Sequence, residues 1–195
     1  MSKITGVILA GGQGRRMGGV DKGLKPLRGK PMVQWVLERF APQVSEILIN
    51  ANQNLDTYAR FGYRVIPDEI GGFAGPLAGL QRGLSEASHD LVATVPCDSP
   101  FLPPDLIARL HAAMNEYNAE FAVAKTGDQP HPVFCLCRKS VLPGLTAFLV
   151  GGGRKIDAWY SMLRGIEVQF DDEAAAFSNI NTEAELGTFE TGAPS

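Results

Sequence analysis

The sequence predicts an α/β protein, a single three-layer α/β/α domain on a mostly parallel sheet. Short β-branched runs alternate with helical patterns four times over about the first 115 residues, and right-handed crossovers turn that alternation into parallel strands with helices on both faces. Polar or charged residues stand just past all four runs: the loop after Leu9, then Asn50, Asp68 and Asp98. In an open parallel sheet such carboxyl ends share one edge, where ligands bind, so the expected arrangement is Rossmann-like. The 195 residues, 45% of them hydrophobic, suffice for one core that buries roughly 70% of the surface an unfolded chain exposes.

Each element has a local reason. Ile4 to Leu9 is a β-branched run that stops at Ala10-Gly11-Gly12, a buried strand entering a Gly-rich loop. Pro31 to Phe40 places Val33, Val36, Leu37 and Phe40 at helical spacing, with Pro31 suited to a first turn. Ile47-Leu48-Ile49 is the second strand, Leu55 to Phe61 a short helix, and Tyr63 to Ile66 the third strand. Pro76 to Ala87 reads as a helix, Asp90 to Val95 as the fourth strand, and Pro103-Pro104-Asp105 opens a helix through Met114. Phe121 to Ala124 and Val133 to Cys137 read as strands around Gly127-Asp128-Gln129-Pro130, the antiparallel addition. Val141 to Val150 and Ile156 to Leu163 read as helices, Ile166 to Phe170 as a strand, and Glu183 to Phe189 as a terminal helix capped near Asn181 or Thr182. No repeat, linker or second core interrupts residues 1–195.

Composition excludes several classes of function. The 22 glycines and 13 prolines stay below the roughly 25–30% share that marks low-complexity chains. A net charge of −3 argues against generic binding to nucleic acid or an anionic membrane surface. Cys97, Cys135 and Cys137 form neither a disulfide framework nor a zinc spacing, and Cys135 and Cys137, two apart on a strand, are expected on one face as small hydrophobes. The first residues lack a signal peptide's apolar stretch and no run approaches the ~18 apolar residues of a membrane span, so a cytoplasmic setting is expected.

Glycine and charge coincide in one place. Eight of the 22 glycines lie in residues 1–30, where Arg15, Arg16, Lys22, Lys25, Arg28 and Lys30 face the single acid Asp21. Bare amides beside cations suit a compact polyanion such as a nucleoside triphosphate. The P-loop pattern fails, because Lys22 follows Asp21 and precedes Gly23; the dinucleotide fingerprint fails too, because its third glycine would fall on Met17. What remains is a loop whose amides, from Gly11 to Gly14, wrap phosphate while Arg16 and Lys22 supply charge; the alternative is a solvated surface loop. Asp98 reads either as a Mg²⁺ ligand, since Mg²⁺ on phosphates takes one or two carboxylates, or as a turn residue. Asn50 and Asp68 read as ligand contacts or plain turn residues; Gly75 and Gly79 as sites of close backbone approach or of helix packing. Asn179 and Asn181 point the same way on an extended segment, or cap a helix. His89, His111 and His131 lack metal-ligand spacing, and Trp35 and Trp159 read as packing.

Leu9-Ala10-Gly11-Gly12, Arg16-Met17-Gly18 and Asp21-Lys22 resemble the signature of the sugar-nucleotide and cofactor nucleotidyltransferases. Taken with Asn50-Ala51-Asn52, Gly75-Pro76-Leu77-Ala78-Gly79, Pro96-Cys97-Asp98-Ser99-Pro100 and Asn179-Ile180-Asn181-Thr182-Glu183, the set resembles the molybdenum cofactor guanylyltransferases over positions 9 to 183. The resemblance implies the nucleotide-diphospho-sugar transferase fold, with a GTP-binding half over about 1–115 and an acceptor half over about 116–195. It implies transfer of GMP from GTP to the phosphate of molybdopterin or Mo-molybdopterin, with Mg²⁺ as cofactor and other cofactor-biosynthesis proteins and apo-molybdoenzymes as partners. It implies catalytic roles for Lys22, Asp98 and Arg16, and Mg²⁺ on Asp98. GTP contacts are implied at Leu9, Ala10, Gly11, Gly12, Lys22, Asn50, Asp68, Gly75, Gly79 and Asp98, and acceptor contacts at Asn179 and Asn181. The alternatives are a cytidylyltransferase acting on molybdopterin or a sugar or polyol phosphate, and a non-catalytic nucleotide-binding or cofactor-carrier protein. A nicotinamide dehydrogenase is disfavoured by the missing third glycine and the missing acid after the second strand.

Overall fold

The computed structural model describes residues 2–12, 21–70 and 75–177. In chain order it contains β1 (Ile4–Leu9), a 3₁₀ turn (Lys22–Leu24), a hairpin of β2 (Pro26–Leu27) and β3 (Lys30–Pro31), α1 (Met32–Phe40) and a 3₁₀ turn (Ala41–Gln43). β4 (Glu46–Asn50), α2 (Leu55–Ala59), β5 (Arg64–Ile66), α3 (Pro76–Glu86), β6 (Leu91–Pro96) and α4 (Leu106–Glu116) follow. The remainder is β7 (Phe121–Thr126), β8 (Gln129–Arg138), a 3₁₀ turn (Lys139–Val141), α5 (Leu142–Val150), α6 (Ile156–Tyr160), β9 (Gly165–Gln169) and a 3₁₀ segment (Asp171–Phe177).

Seven strands form one sheet in the order β5-β4-β1-β6-β8-β7-β9. β1 pairs in parallel with β4 and β6, and β4 in parallel with β5. β8 lies antiparallel between β6 and β7, while β9 is parallel to β7, so among the described strands of this sheet only β8 is reversed. This is the expected parallel sheet with its antiparallel addition. The chain steps outward from β1 through β4 to β5, then returns to the other side of β1 as β6. That reversal opens a crevice beyond the carboxyl ends of β1 and β6, the place where open α/β sheets bind ligands.

Period-2 alternation splits the apolar residues between the faces. Ile4 and Ile8 of β1 pack with Val33, Phe40, Tyr58 and Leu110 on one face, while Val7 packs with Leu77, Leu84, Leu145 and Trp159 on the other. Three layers result. α3 lies close on the sheet because Gly83 has no side chain: a Cβ there would stand 2.7 Å from Val7 Cγ2. Cys135 and Cys137 share a buried face with their sulfurs 3.8 Å apart, and Trp159 is fully enclosed, as expected.

The differences are local. Pro26 to Pro31 forms a hairpin that the sequence reading does not contain, turning at Arg28 (φ 50°) and Gly29 (φ 82°); two positive φ values are what a type I′ turn needs, and arginine is an unusual first occupant. Trp35 Nε1 anchors it by donating to Leu27 O at 2.9 Å. The Pro103 helix starts three residues later, at Leu106. β8 extends back to Gln129 through Pro130 and Pro132, with a break in register opposite Val123 and Ala124. The expected helix Glu183 to Phe189 lies outside the described residues. Among the described residues no helix is long and apolar enough to cross a membrane.

Glu46 ties the amino edge of the sheet, accepting from Thr5 Oγ1 (2.5 Å), Ser88 N (2.9 Å) and Ser88 Oγ (2.8 Å). Burial pushes this carboxyl up, but the hydrogen bonds from Thr5 and Ser88 outweigh it and hold it below its ordinary 4.5. A depressed folded value contributes stability above the unfolded value that is lost as pH falls through the folded one. Urea midpoints of the wild type should therefore drop between about pH 5 and pH 3, while Glu46→Gln starts lower and drops less over the same window; parallel curves would remove Glu46 from the acid response.

Candidate active site

The crevice is built from strand ends. Cys97 N donates to Leu9 O at 3.2 Å and Ala10 N to Asn50 O at 2.8 Å, so the first residues of the glycine loop leave β1 held by both neighbours. Gly11 passes so close to β4 that a Cβ would stand 2.9 Å from Asn52 Nδ2 and 3.1 Å from Asn50 Oδ1. At Gly12 the opposite holds: a Cβ would meet nothing within 4 Å among the described residues, and the residue is exposed. The loop is thus braced at Gly11 and open at Gly12.

The chain re-enters the crevice at Asp21 and brings Lys22 to Asp98, with Nζ 3.3 Å from Oδ2. Gly23 fits only as glycine, since a Cβ would stand 2.5 Å from the Tyr58 hydroxyl and 3.1 Å from Cys97 Sγ. Asp98 follows β6 and is 7% exposed. Burial pushes its carboxyl above the ordinary carboxylate value, and the Lys22 charge and hydrogen bond pull the other way without cancelling that push. Among the described residues Lys22 is its one side-chain partner. A buried carboxylate that one ammonium does not fully compensate is a place where a further cation is stabilised. Burial, with the Asp98 and Asp21 charges, also pushes the Cys97 thiol up, so the adjacent sulfur stays protonated and is no nucleophile.

On the other side of β1 the polar groups form a closed network. Asp68 accepts from Asn50 Nδ2 through Oδ1 and from Asn52 Nδ2 through Oδ2, both at 2.8 Å. Asn50 Nδ2 also donates to Ile66 O (3.1 Å), Asn52 Nδ2 to Gly11 O (3.3 Å), and Asp68 N to Asn52 Oδ1 (2.9 Å). With its amide nitrogen committed, Asn50 turns Oδ1 toward Gly11 and Gly79. Gly75, at φ 63° and ψ −151°, occupies a region essentially closed to other residues and starts α3 at this edge. Gly79 is occupied by the protein itself, since a Cβ would stand 2.3 Å from Asn50 Oδ1 and 2.7 Å from Leu9 Cδ2; the helix-packing alternative describes its surroundings.

The structure therefore gathers Leu9, Ala10, Gly11, Gly12, Lys22, Asn50, Asp68, Gly75, Gly79 and Asp98 at the carboxyl edge of β1, β4, β5 and β6. Arg16, Asn179 and Asn181 lie outside the described residues. His131 sits apart, stacked on Phe177 at 4.8 Å with Nε2 2.7 Å from Thr126 Oγ1. Two participants were absent from the expected set: Asn52, which lies two residues after Asn50 on the same side of the extended chain, and Asp21, which precedes Lys22. Spacing could have flagged the first; the partners of the second come from α2, which nothing local announces.

Three layers, a crevice at the reversal of strand order, a glycine loop and a Lys–Asp pair define a nucleotidyltransferase of the nucleotide-diphospho-sugar transferase type. Residues 6–164 match the MobA-like NTP transferase domain. The molybdenum cofactor guanylyltransferase of Cupriavidus necator is 53% identical over 193 residues, covering 96% of each chain. That of a Shewanella species is 51% identical over 180 residues, covering 92% of this chain and 91% of its own. Among solved structures, molybdopterin-guanine dinucleotide biosynthesis protein A from Archaeoglobus fulgidus superposes with a TM-score of 0.81 at 26% identity, over 95% of this chain and 96% of that one. The 4-diphosphocytidyl-2C-methyl-D-erythritol synthase of Anaerococcus prevotii, at 11% identity and a TM-score of 0.75 over 97% and 95%, shares the fold. The chain belongs to the MobA-like NTP transferase family.

Two glycines in helices separate the constraint at Gly79 from helix propensity. Gly79→Ala should lose about 1–3 kcal/mol to overpacking against Asn50 and Leu9, more than the ~1 kcal/mol that alanine regains in a helix. Gly144→Ala in α5, where a Cβ meets nothing within 4 Å among the described residues, should gain about 0.5–1 kcal/mol. Urea midpoints that move in the same direction for both would show that α3 is not held to Asn50.

Proposed function

We propose that this protein transfers GMP from GTP to the terminal phosphate of molybdopterin, with or without its metal, forming molybdopterin guanine dinucleotide and releasing pyrophosphate. The observation that carries the reading is Lys22 held 3.3 Å from the buried Asp98 at the crevice, beside a glycine loop open at Gly12. The names of the guanylyltransferases at 53% and 51% identity support the choice of nucleotide and acceptor.

In the proposed reaction an oxygen of the acceptor phosphate attacks the α-phosphorus of GTP, and the bond from that phosphorus to the β-bridging oxygen breaks. The nucleophile is already an anion, so no protein base is needed. Catalysis then lies in aligning two polyanions and neutralising charge on the departing pyrophosphate. Lys22 donates to the phosphates, the amides of Gly11 and Gly12 line them, and Arg16 adds charge. Leu9, Ala10, Asn50, Asp68, Gly75 and Gly79 bound the nucleotide, with Gly79 acting through Asn50. Asn179 and Asn181 take the acceptor, which divides the chain into a GTP half over about 1–115 and an acceptor half over about 116–195.

Asp98 fits Mg²⁺: it is a single buried carboxylate still short of positive charge, and no group of three or more ligand residues among the described residues offers a closed cage. That is the donor set expected of Mg²⁺ held mainly by phosphate oxygens and water. When bound there, the ion supplies charge neutralisation on the phosphates.

Incubation with GTP, molybdopterin and Mg²⁺ should yield the guanylated pterin by mass, with pyrophosphate, and chelation should abolish both. Asp98→Ala and Lys22→Ala should fold and bind the acceptor yet lose turnover by about 10²–10³-fold. Pyrophosphate release near the wild-type rate by either variant would remove that residue from the mechanism. Tight CTP binding with silent GTP would replace guanine by cytosine, and GTP binding without pyrophosphate release would make the protein a carrier.

A further inference from the structure

The turn that carries Lys22 is held by residues of α2 and its N-cap, which reach the neighbouring Asp21. Asp21 caps the Lys22–Leu24 turn by accepting from Gly23 N at 3.2 Å, and its carboxylate is itself held from α2: Tyr58 Oη donates to Oδ1 at 2.6 Å and Asn54 Nδ2 to Oδ2 at 3.1 Å. Both donors have given up something to be there. Tyr58 is fully buried and spends its hydroxyl on Asp21; burial first, then the neighbouring Cys97 and Asp21, push the phenol up, so it remains a protonated donor. Asn54 stands at the N-cap of α2 in a left-handed conformation (φ 53°) without capping its own helix, although that is what asparagine ordinarily does at this position. Its amide points instead to Asp21.

The opposite side of the turn is fixed as well. Gly23 is wedged between the Tyr58 hydroxyl and Cys97, the residue before Asp98. The turn that carries Lys22 therefore has a wall on the β6 side and, on the α2 side, an anchor of two donors on the Asp21 carboxylate.

We propose that Tyr58 and Asn54 are positioning residues that act through Asp21 to hold the Lys22 ammonium at Asp98. Neither touches the reacting groups; each removes freedom from a cation that does. A charge contributes most to a transition state when it is already aimed and need not reorganise, so loosening the anchor lowers turnover while the fold persists. The proposal rests on the reading of Lys22 as the catalytic cation.

Tyr58→Phe removes the hydroxyl and keeps the ring, and Asn54→Gly removes the amide while still accepting a positive φ. Each should melt within about 5 °C of the wild type and lose about tenfold in kcat for GMP transfer. In a Lys22→Ala background the same substitutions should cost nothing further, because residues that act as one unit are not additive. A second readout needs no turnover: the carbon-13 signal of the Lys22 ε-carbon, assigned by its absence in Lys22→Ala, should shift in Tyr58→Phe and Asn54→Gly and stay fixed in the surface control Tyr117→Phe. Wild-type kcat in Tyr58→Phe, or an equal loss in the presence and absence of Lys22, would overturn the proposal. A wild type that makes no guanylated product would refute the proposed function instead, and an unmoved lysine signal would then refute the anchor independently.

Discussion

The site depends on one costly placement, a carboxylate at the end of a strand whose every residue is buried. Asp98 is there because the chain reverses its order at β1, so that the carboxyl end of β6 and the loop leaving β1 face each other across a crevice. Burial raises the cost of its charge and also the strength with which that charge acts on a cation nearby, since both follow from low local polarity. Lys22 offsets part of this cost at 3.3 Å. Among the described residues no second side chain offsets the remainder. Preorganisation of this kind is what phosphoryl chemistry draws on, and it is maintained by the folding free energy of the rest of the sheet.

Getting Lys22 to that carboxylate requires backbone to lie unusually close to neighbouring side chains, and glycine makes this possible. Gly23 lies against Tyr58 and Cys97, Gly11 against Asn50 and Asn52, Gly79 against Asn50 and Leu9, and Gly83 against Val7. Each lets one layer approach another by the width of a methyl group. The proposed phosphate binding supplies a reason for a bare amide at Gly12, where a Cβ would meet no described residue within 4 Å; at the other four the missing side chain serves packing. The described glycines thus serve two ends, open backbone at Gly12 and close packing at Gly11, Gly23, Gly79 and Gly83.

The fold was legible because its signals are local and redundant. Apolar runs such as Ile4–Leu9 and Ile47–Ile49 are too short to be anything but buried strands when a Gly-rich or Asn-rich break follows each, and the helices between them leave little choice of topology. The polar ends of four strands likewise located the edge. Signals that failed were those carried by one atypical residue or by distance. The hairpin at Arg28 and Gly29 was hidden by an arginine in a left-handed position, and the extended start of β8 by Pro130 and Pro132. The Asp21 anchor joins residues 37 apart in sequence, through a hydroxyl that reads as one more aromatic in a short helix. Nothing in a linear pattern distinguishes a core tyrosine from a core tyrosine with a duty.

Three aspartates at this edge look alike in sequence, each next to a turn, and their surroundings give them different work. Asp68 has both oxygens taken by the amides of Asn50 and Asn52 and sets the orientation of those side chains. Asp21 has both taken by Tyr58, Asn54 and Gly23 and sets a turn. Asp98 alone is buried with a single described side-chain partner, and that partner is a cation. A carboxylate saturated with neutral donors has its geometry fixed and little left to offer; one opposed by burial and matched by an incomplete positive charge keeps its electrostatic demand. The division of labour follows from counting donors and charges around each oxygen pair, and it singles out Asp98 as the carboxylate with the strongest unmet electrostatic demand among the described groups at this edge.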